Sequence, residues 1–159
     1  MEDHKPKYSL LEAKTKLEAY CAYQERCSYE ISHKLWLWKM HPEDHDIIIA
    51  DLISHNFLNE ERFAEAYASG KFNMKKWGKN KIKQHLKSKQ ISDYSINKAL
   101  KAIDLDLYEA TLLQLAEKKW AMVKGNHWEK LAKLKRYLQT KGYETDLLND
   151  VFQNFIERK

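Results

Sequence analysis

One spacing constrains this chain more than any other feature. Apolar residues recur at intervals of three and four, the period of a helix surface, and not at two. The pattern then restarts. Ile31 and Leu35 are followed 51 residues later by Ile82 and Leu86, and 52 residues after that by Leu134 and Leu138. Leu52, Leu100 and Phe152 follow those pairs at intervals of 48 and 52. A three-helix unit of this size leaves apolar surface at its ends, so tandem units stack or flex against their neighbours. Four glycines and two prolines in 159 residues are too few turn signals for a β-rich chain. The expected fold is all-α, with three tandem three-helix repeats in an elongated array whose curvature the sequence leaves open. The expected divisions are residues 9–57, 58–103 and 104–157.

Local signals punctuate each repeat. Leu10, Ala13, Leu17, Tyr20 and Cys21 form a first stripe, and Ser28 is a candidate N-cap for a helix carrying Ile31, Leu35 and Trp38. Pro42 suits the first turn of a third helix, with Glu43 and Asp44 at its positive end. Asn59 and Ser92 are cap residues for the second repeat, and Gly70 lies near the end of its first helix. Gly125-Asn126 breaks the third repeat, Gly142 fits a helix C′ position, and Thr145 opens the last helix. The aromatic excess, Trp120 and Trp128 included, is read mostly as core. Trp36 and Trp38 fall on different faces of one helix, so one of them is expected partly exposed.

The net charge of +5 is modest, but its distribution is uneven. Residues 71–90 hold eight lysines and no acid. Residues 118–141 hold seven lysines and Arg136 against Glu129 alone. Residues 43–65 invert this, with Glu43, Asp44, Asp46, Asp51, Glu60, Glu61 and Glu65 against Arg62. A solvated helix surface normally mixes signs, so the basic stretches point to a polyanion or an acidic protein surface.

Several function classes find no support. No run of about eighteen apolar residues is present to span a membrane, and the amino terminus lacks a signal-peptide core. Cys21 and Cys27 are too few for a disulfide scaffold and fit a reducing cytoplasm. They stand six apart, without the tight pair that structural zinc uses, so no metal or other cofactor is expected. Cys21 is expected buried and the neighbouring histidines, His33, His41 and His45, exposed. No phosphate loop, nucleophile elbow or metalloprotease helix is present, and no nucleophile stands beside a partnered base. The expectation is a chain that is not an enzyme.

Four segments resemble the RecX family, regulators of the RecA recombinase. They are ERCSYEISHKL (25–35), LNEERFAEAYASGK (58–71), WGKNKIKQHLKSKQISDYSINKAL (77–100) and LKRYLQTKGYETDLLNDVF (134–152). The likeness runs over about residues 12 to 157. Three turns depart from the family pattern. Gln90 stands where glycine is frequent, Glu60 where aspartate is favoured, and WLWKMHPEDHD reads as a longer connection than the usual short glycine turn. The resemblance implies a cytoplasmic, monomeric protein that lodges in the groove of the RecA–single-stranded DNA filament. It would restrain strand exchange, ATP hydrolysis and coprotease action in DNA repair and the SOS response.

Lys79, Lys83 and Lys87 lie four apart and form one stripe of a helix, beside the core-facing Ile82 and Leu86. Lys75, Lys76 and Lys81 widen it, and Lys130, Lys133 and Arg136 supply the counterpart in the third repeat. These nine residues are the expected contacts for the filament or its DNA. A lysine-rich, arginine-poor surface favours backbone phosphate over base edges. The competing class is a free-standing nucleic-acid-binding module of helix-turn-helix type, which would bind duplex tightly without RecA.

Overall fold

The computed structural model describes residues 5–158, which form nine α-helices and no strand among the described residues. They are α1 (Leu10–Tyr23), α2 (Ser28–Leu37), α3 (Pro42–Ser54), α4 (Glu60–Lys75), α5 (Lys79–Ser88), α6 (Asp93–Lys101), α7 (Leu105–Met122), α8 (His127–Lys141) and α9 (Thr145–Ile156). The closest helix packing is within successive triads: α1 and α2 on α3, α4 on α5 and α6, and α8 on α7 and α9.

The repeat is visible in the turns. Each second helix ends in one left-handed residue followed by a buried apolar one: Lys39 and Met40, Gln90 and Ile91, Gly142 and Tyr143. In each, the apolar residue's N–H reaches back five residues, from Met40 to Leu35 O (3.0 Å), Ile91 to Leu86 O (3.1 Å) and Tyr143 to Leu138 O (3.3 Å). This is the Schellman arrangement, in which orphan helix carbonyls are satisfied and an apolar side chain is turned into the core. By this measure the first connection is not longer than the others: Leu35, Leu86 and Leu138 each stand seven residues before the first residue of the next helix, Pro42, Asp93 and Thr145. The turn simply uses Lys39 and Gln90 where the third uses glycine, at a left-handed cost of roughly 1–2 kcal/mol per non-glycine residue.

Other sequence signals need adjustment. Ser28 is the first residue of α2, and the cap position is Cys27, whose N–H donates to the Glu30 carboxylate (3.2 Å). Gly70 lies inside α4, which continues to Lys75. His45 is buried, with Nε2 3.0 Å from Met40 O and its ring packed edge-on against Trp36. Asn59 and Ser92 do cap their helices, accepting from Arg62 N (2.9 Å) and Ser95 N (3.3 Å).

Two hydrophobic cores result. One, built on Leu17, Ile31, Leu35, Ile48 and Leu52, belongs to α1–α3. The other runs without interruption from α4 to α9 and includes Phe63, Phe72, Ile82, Leu86, Tyr108, Leu134 and Phe155. Cys27, from the first triad, is buried in this second core. Burial pushes the thiols of Cys21 and Cys27 up to about 11, so neither is a thiolate at neutral pH.

Candidate nucleic-acid interface

Helix α5 starts against the end of α8. Gly78 N–H donates to Lys141 O (2.7 Å) and Asn80 N–H to Gly142 O (2.9 Å), so the orphan donors of one helix meet the orphan carbonyls of the other. Lys79 N–H donates to Tyr108 Oη (2.9 Å), and the Tyr108 hydroxyl donates to the Glu144 carboxylate. Tyr143 Oη donates to Lys76 O (2.8 Å), and Lys141 Nζ to Lys75 O (3.0 Å). A Cβ on Gly78 would lie 2.3 Å from the Gly142 carbonyl carbon, so the two backbones touch with no room for a side chain. The phenols of Tyr108 and Tyr143 are held well above the usual tyrosine range, mainly by burial, and both stay neutral.

This seating fixes the orientation of the basic helix. Lys79 and Lys81 fall in the first turn of α5, at the positive end of its dipole, and no acid is present there. Helices α3 and α4 do the opposite, beginning with Glu43 and Asp44 and with Glu60 and Glu61. Placing cations at a helix N-terminus opposes folding by roughly 0.3–1 kcal/mol each. A local conflict of this kind is expected where a surface serves a ligand.

The nine expected contact residues divide into groups. Lys81, Lys83 and Lys87 line one groove of about 540 Å³ with Asn80, Gln84 and His85 of α5 and with Gln139, Thr140 and Gly142. Lys79 turns toward the Tyr108 ring (5.0 Å to its centroid), away from a simple stripe with Lys83 and Lys87. Lys75 and Lys76 close α4, with Lys76 Nζ donating to Asn73 O (2.9 Å). Lys130 lies over Trp120 (4.2 Å), Lys133 donates to Lys124 O (2.7 Å), and Arg136 is exposed on α8. Among the described residues, Lys87 is the one member of the nine with a carboxylate in ion-pair range, Asp93 at 3.8 Å with both side chains mostly exposed. Such a pair contributes little and is screened by salt. Lys81 is steered instead by Trp77, whose ring centroid lies 4.6 Å from its Nζ; Lys71 Nζ stands 5.0 Å from the same ring. His85 is held below the ordinary histidine range by burial first and then by Lys81, Lys71 and Lys89.

The acidic stretch behaves differently, because much of it is consumed inside the protein. Glu60 accepts from Ser92 N (2.5 Å), Glu61 pairs with Lys98 (2.7 Å) and Asp51 with Lys14 (2.9 Å). Sequence reading missed the aromatic frame of the basic site, Trp77, Tyr108 and Tyr143. Trp77 and Tyr143 stand in the turns after α4 and α8, and nothing local shows that Tyr108 and Tyr143 pair with centroids 5.2 Å apart or reach Lys79 N and Lys76 O across a repeat boundary. Trp128, read as core, is 71% exposed. No helix among the described residues is long and apolar enough to cross a membrane.

Comparison with known proteins identifies this architecture. Residues 59–100 match the family model for RecX, second three-helix domain, and residues 106–152 that for RecX, third three-helix domain. The Regulatory protein RecX of Clostridioides difficile (strain 630) is 31% identical over 110 residues, covering 69% of this chain and 52% of that protein. The Regulatory protein RecX of Salmonella typhimurium (strain LT2) is 30% identical over 115 residues, covering 72% of this chain and 68% of the relative. The chain thus spans about half the length of the clostridial relative. The crystal structure of RecX from Lactobacillus salivarius superposes with a TM-score of 0.80 at 27% identity, over 92% of this chain and 96% of that one. The chain belongs to the RecX family.

Proposed function

We propose that this protein regulates the RecA recombinase by seating on the RecA–single-stranded DNA filament, and that it acts by binding and not by catalysis. It would work in the cytoplasm, as a monomer, in DNA repair and the SOS response. Its units would be residues 9–57, 58–103 and 104–157, a row long enough to touch more than one filament subunit and so to raise the effective concentration of each contact. The observation that carries this reading is the lysine-studded start of α5, where cations oppose the helix dipole and no acid stands in the first turn. Phosphates that displace counterions there gain affinity that falls steeply with salt. Lys75, Lys76, Lys79, Lys81, Lys83, Lys87, Lys130, Lys133 and Arg136 are the contacts assigned to DNA or to acidic RecA surface.

The test is ATP hydrolysis by RecA on single-stranded DNA, titrated with this protein at two salt concentrations. Inhibition below one molecule per RecA, weakening as salt rises, is the expected result. The combined variant Lys79→Glu, Lys83→Glu, Lys87→Glu should abolish inhibition while keeping the wild-type circular dichroism spectrum. Full inhibition by that folded variant would end the assignment.

A further inference from the structure

Helix α8 carries an exposed line that the charge argument does not use. Trp128, Ala132, Lys135 and Gln139 follow at steps of four, three and four, so they share one face, and all four are exposed. At the far end, Gln139 enters the groove that holds Lys81, Lys83 and Lys87 of α5. At the near end, the Trp128 and His127 rings lie with centroids 5.8 Å apart and planes at 69°, and Trp128 is 71% exposed. The distance from Trp128 to Gln139 along the helix is roughly 16 Å at 1.5 Å per residue. Small Ala132 leaves the surface between Trp128 and Lys135 low.

The surroundings say what such a ring is suited to hold. Lys124 and Lys133 are neighbours of each other at the start of α8, joined by the 2.7 Å bond from Lys133 Nζ to Lys124 O. The acid of this turn, Glu129, keeps its charge, and its Oε1 accepts from the cap residue Asn126 Nδ2 (2.8 Å). Trp120, eight residues earlier, is by contrast packed on Phe155 and covered by Lys130. An exposed indole on the same helix face as Lys135, at the end of a line that leads into a basic groove, has the makings of a stacking platform for an unpaired base, with phosphates running toward α5.

We propose that Trp128 stacks on a base of single-stranded nucleic acid, at the end of a track formed by Ala132, Lys135, Gln139 and the α5 lysines. This rests on the reading of the basic face as a nucleic-acid surface and adds to it a preference for unpaired strands. Every base offers a π-face, so the contact carries no sequence preference.

The experiment measures binding of the full chain to a labelled oligothymidylate and to a mixed-sequence hairpin duplex, over a range of salt. Trp128→Ala should weaken oligothymidylate binding roughly 5- to 100-fold while duplex binding stays within about twofold. Its salt slope should match the wild type, because no cation is lost, and Trp128→Phe should recover most of the affinity. Trp128 is exposed, and an unchanged melting temperature will show that the variants fold. If Trp128→Ala binds oligothymidylate as wild type does, while Lys83→Glu with Lys87→Glu does not, stacking is wrong and the basic face stands. The stacking role also fails if Trp128→Ala loses single strand and duplex equally, or if it keeps oligothymidylate and loses only RecA. If the wild type shows no salt-dependent binding to either nucleic acid, the basic face itself is misread and the proposal falls with it.

Discussion

The first triad and the other two are joined in different ways. Between α4–α6 and α7–α9 the joint is made of backbone and buried phenol: Gly78 on Gly142, Lys79 N–H on Tyr108, Tyr143 on Lys76 O, all on a shared core. Between α1–α3 and α4–α6 the polar links are charged and partly wet. Arg62 reaches Glu25 at 2.6 Å, and Lys89 reaches Glu30 at 3.3 Å. A cleft of about 750 Å³ opens there, lined by Arg26, Tyr29, Asn59, Glu61, Lys89 and Tyr94 among others. Buried hydrogen bonds and apolar contact do not weaken with ionic strength as exposed ion pairs do. Similar helical units are thus joined by two kinds of chemistry, main chain and phenol in one seam and ion pairs beside a single buried cysteine in the other.

The largest test of that contrast cuts a core. Leu17→Ala, at a fully buried site of the first core, should cost about 2–5 kcal/mol. It should remove amide-exchange protection from α1–α3 and leave α4–α9 protected, whereas Leu134→Ala should weaken α4–α6 and α7–α9 together. Equal loss over all nine helices after Leu17→Ala would make the molecule a single body and cancel the distinction. Next in size, Tyr108→Phe strands the Lys79 N–H and the Glu144 carboxylate, at about 1–3 kcal/mol. A urea midpoint that moves without a change in α1–α3 protection would fit the joint of main chain and phenol, and no shift would deny Tyr108 its part in it. The smallest effect belongs to Arg62→Ala, on the order of 1 kcal/mol, since the pair is a third exposed. Its cost should shrink as salt rises, read from melting temperatures at low and high ionic strength. A salt-independent cost would put the first joint in the same class as the second.

Much of this fold is legible in the chain. Ile31, Leu35, Ile82, Leu86, Leu134 and Leu138, picked out by spacing, are all buried, because a three-to-four period reports directly on one face of a helix. Caps at Asn59 and Ser92 are equally local and came through. What failed were properties that depend on distant partners. His45 looked like a solvent histidine, but the folding of α2 back on α3 packs Trp36 on its ring and sets Met40 O 3.0 Å from its Nε2. Trp128 and Trp120 carry the same signal, yet Trp120 packs on Phe155 while Trp128, beside His127, is left 71% exposed among the described residues. Lysine clustering was readable as composition. That Lys81, Lys83 and Lys87 share a groove with Gln139 was not, because the meeting of α5 and α8 depends on two glycines 64 residues apart.

That glycine contact has a mechanical corollary. Where side chains separate two helices, a rotamer change can absorb a push; where main chain lies on main chain, nothing is available to yield. The end of α8 and the start of the lysine-bearing helix therefore share a main-chain seam, and any side chain at Gly78 or Gly142 would force the two apart and reshape the positive groove.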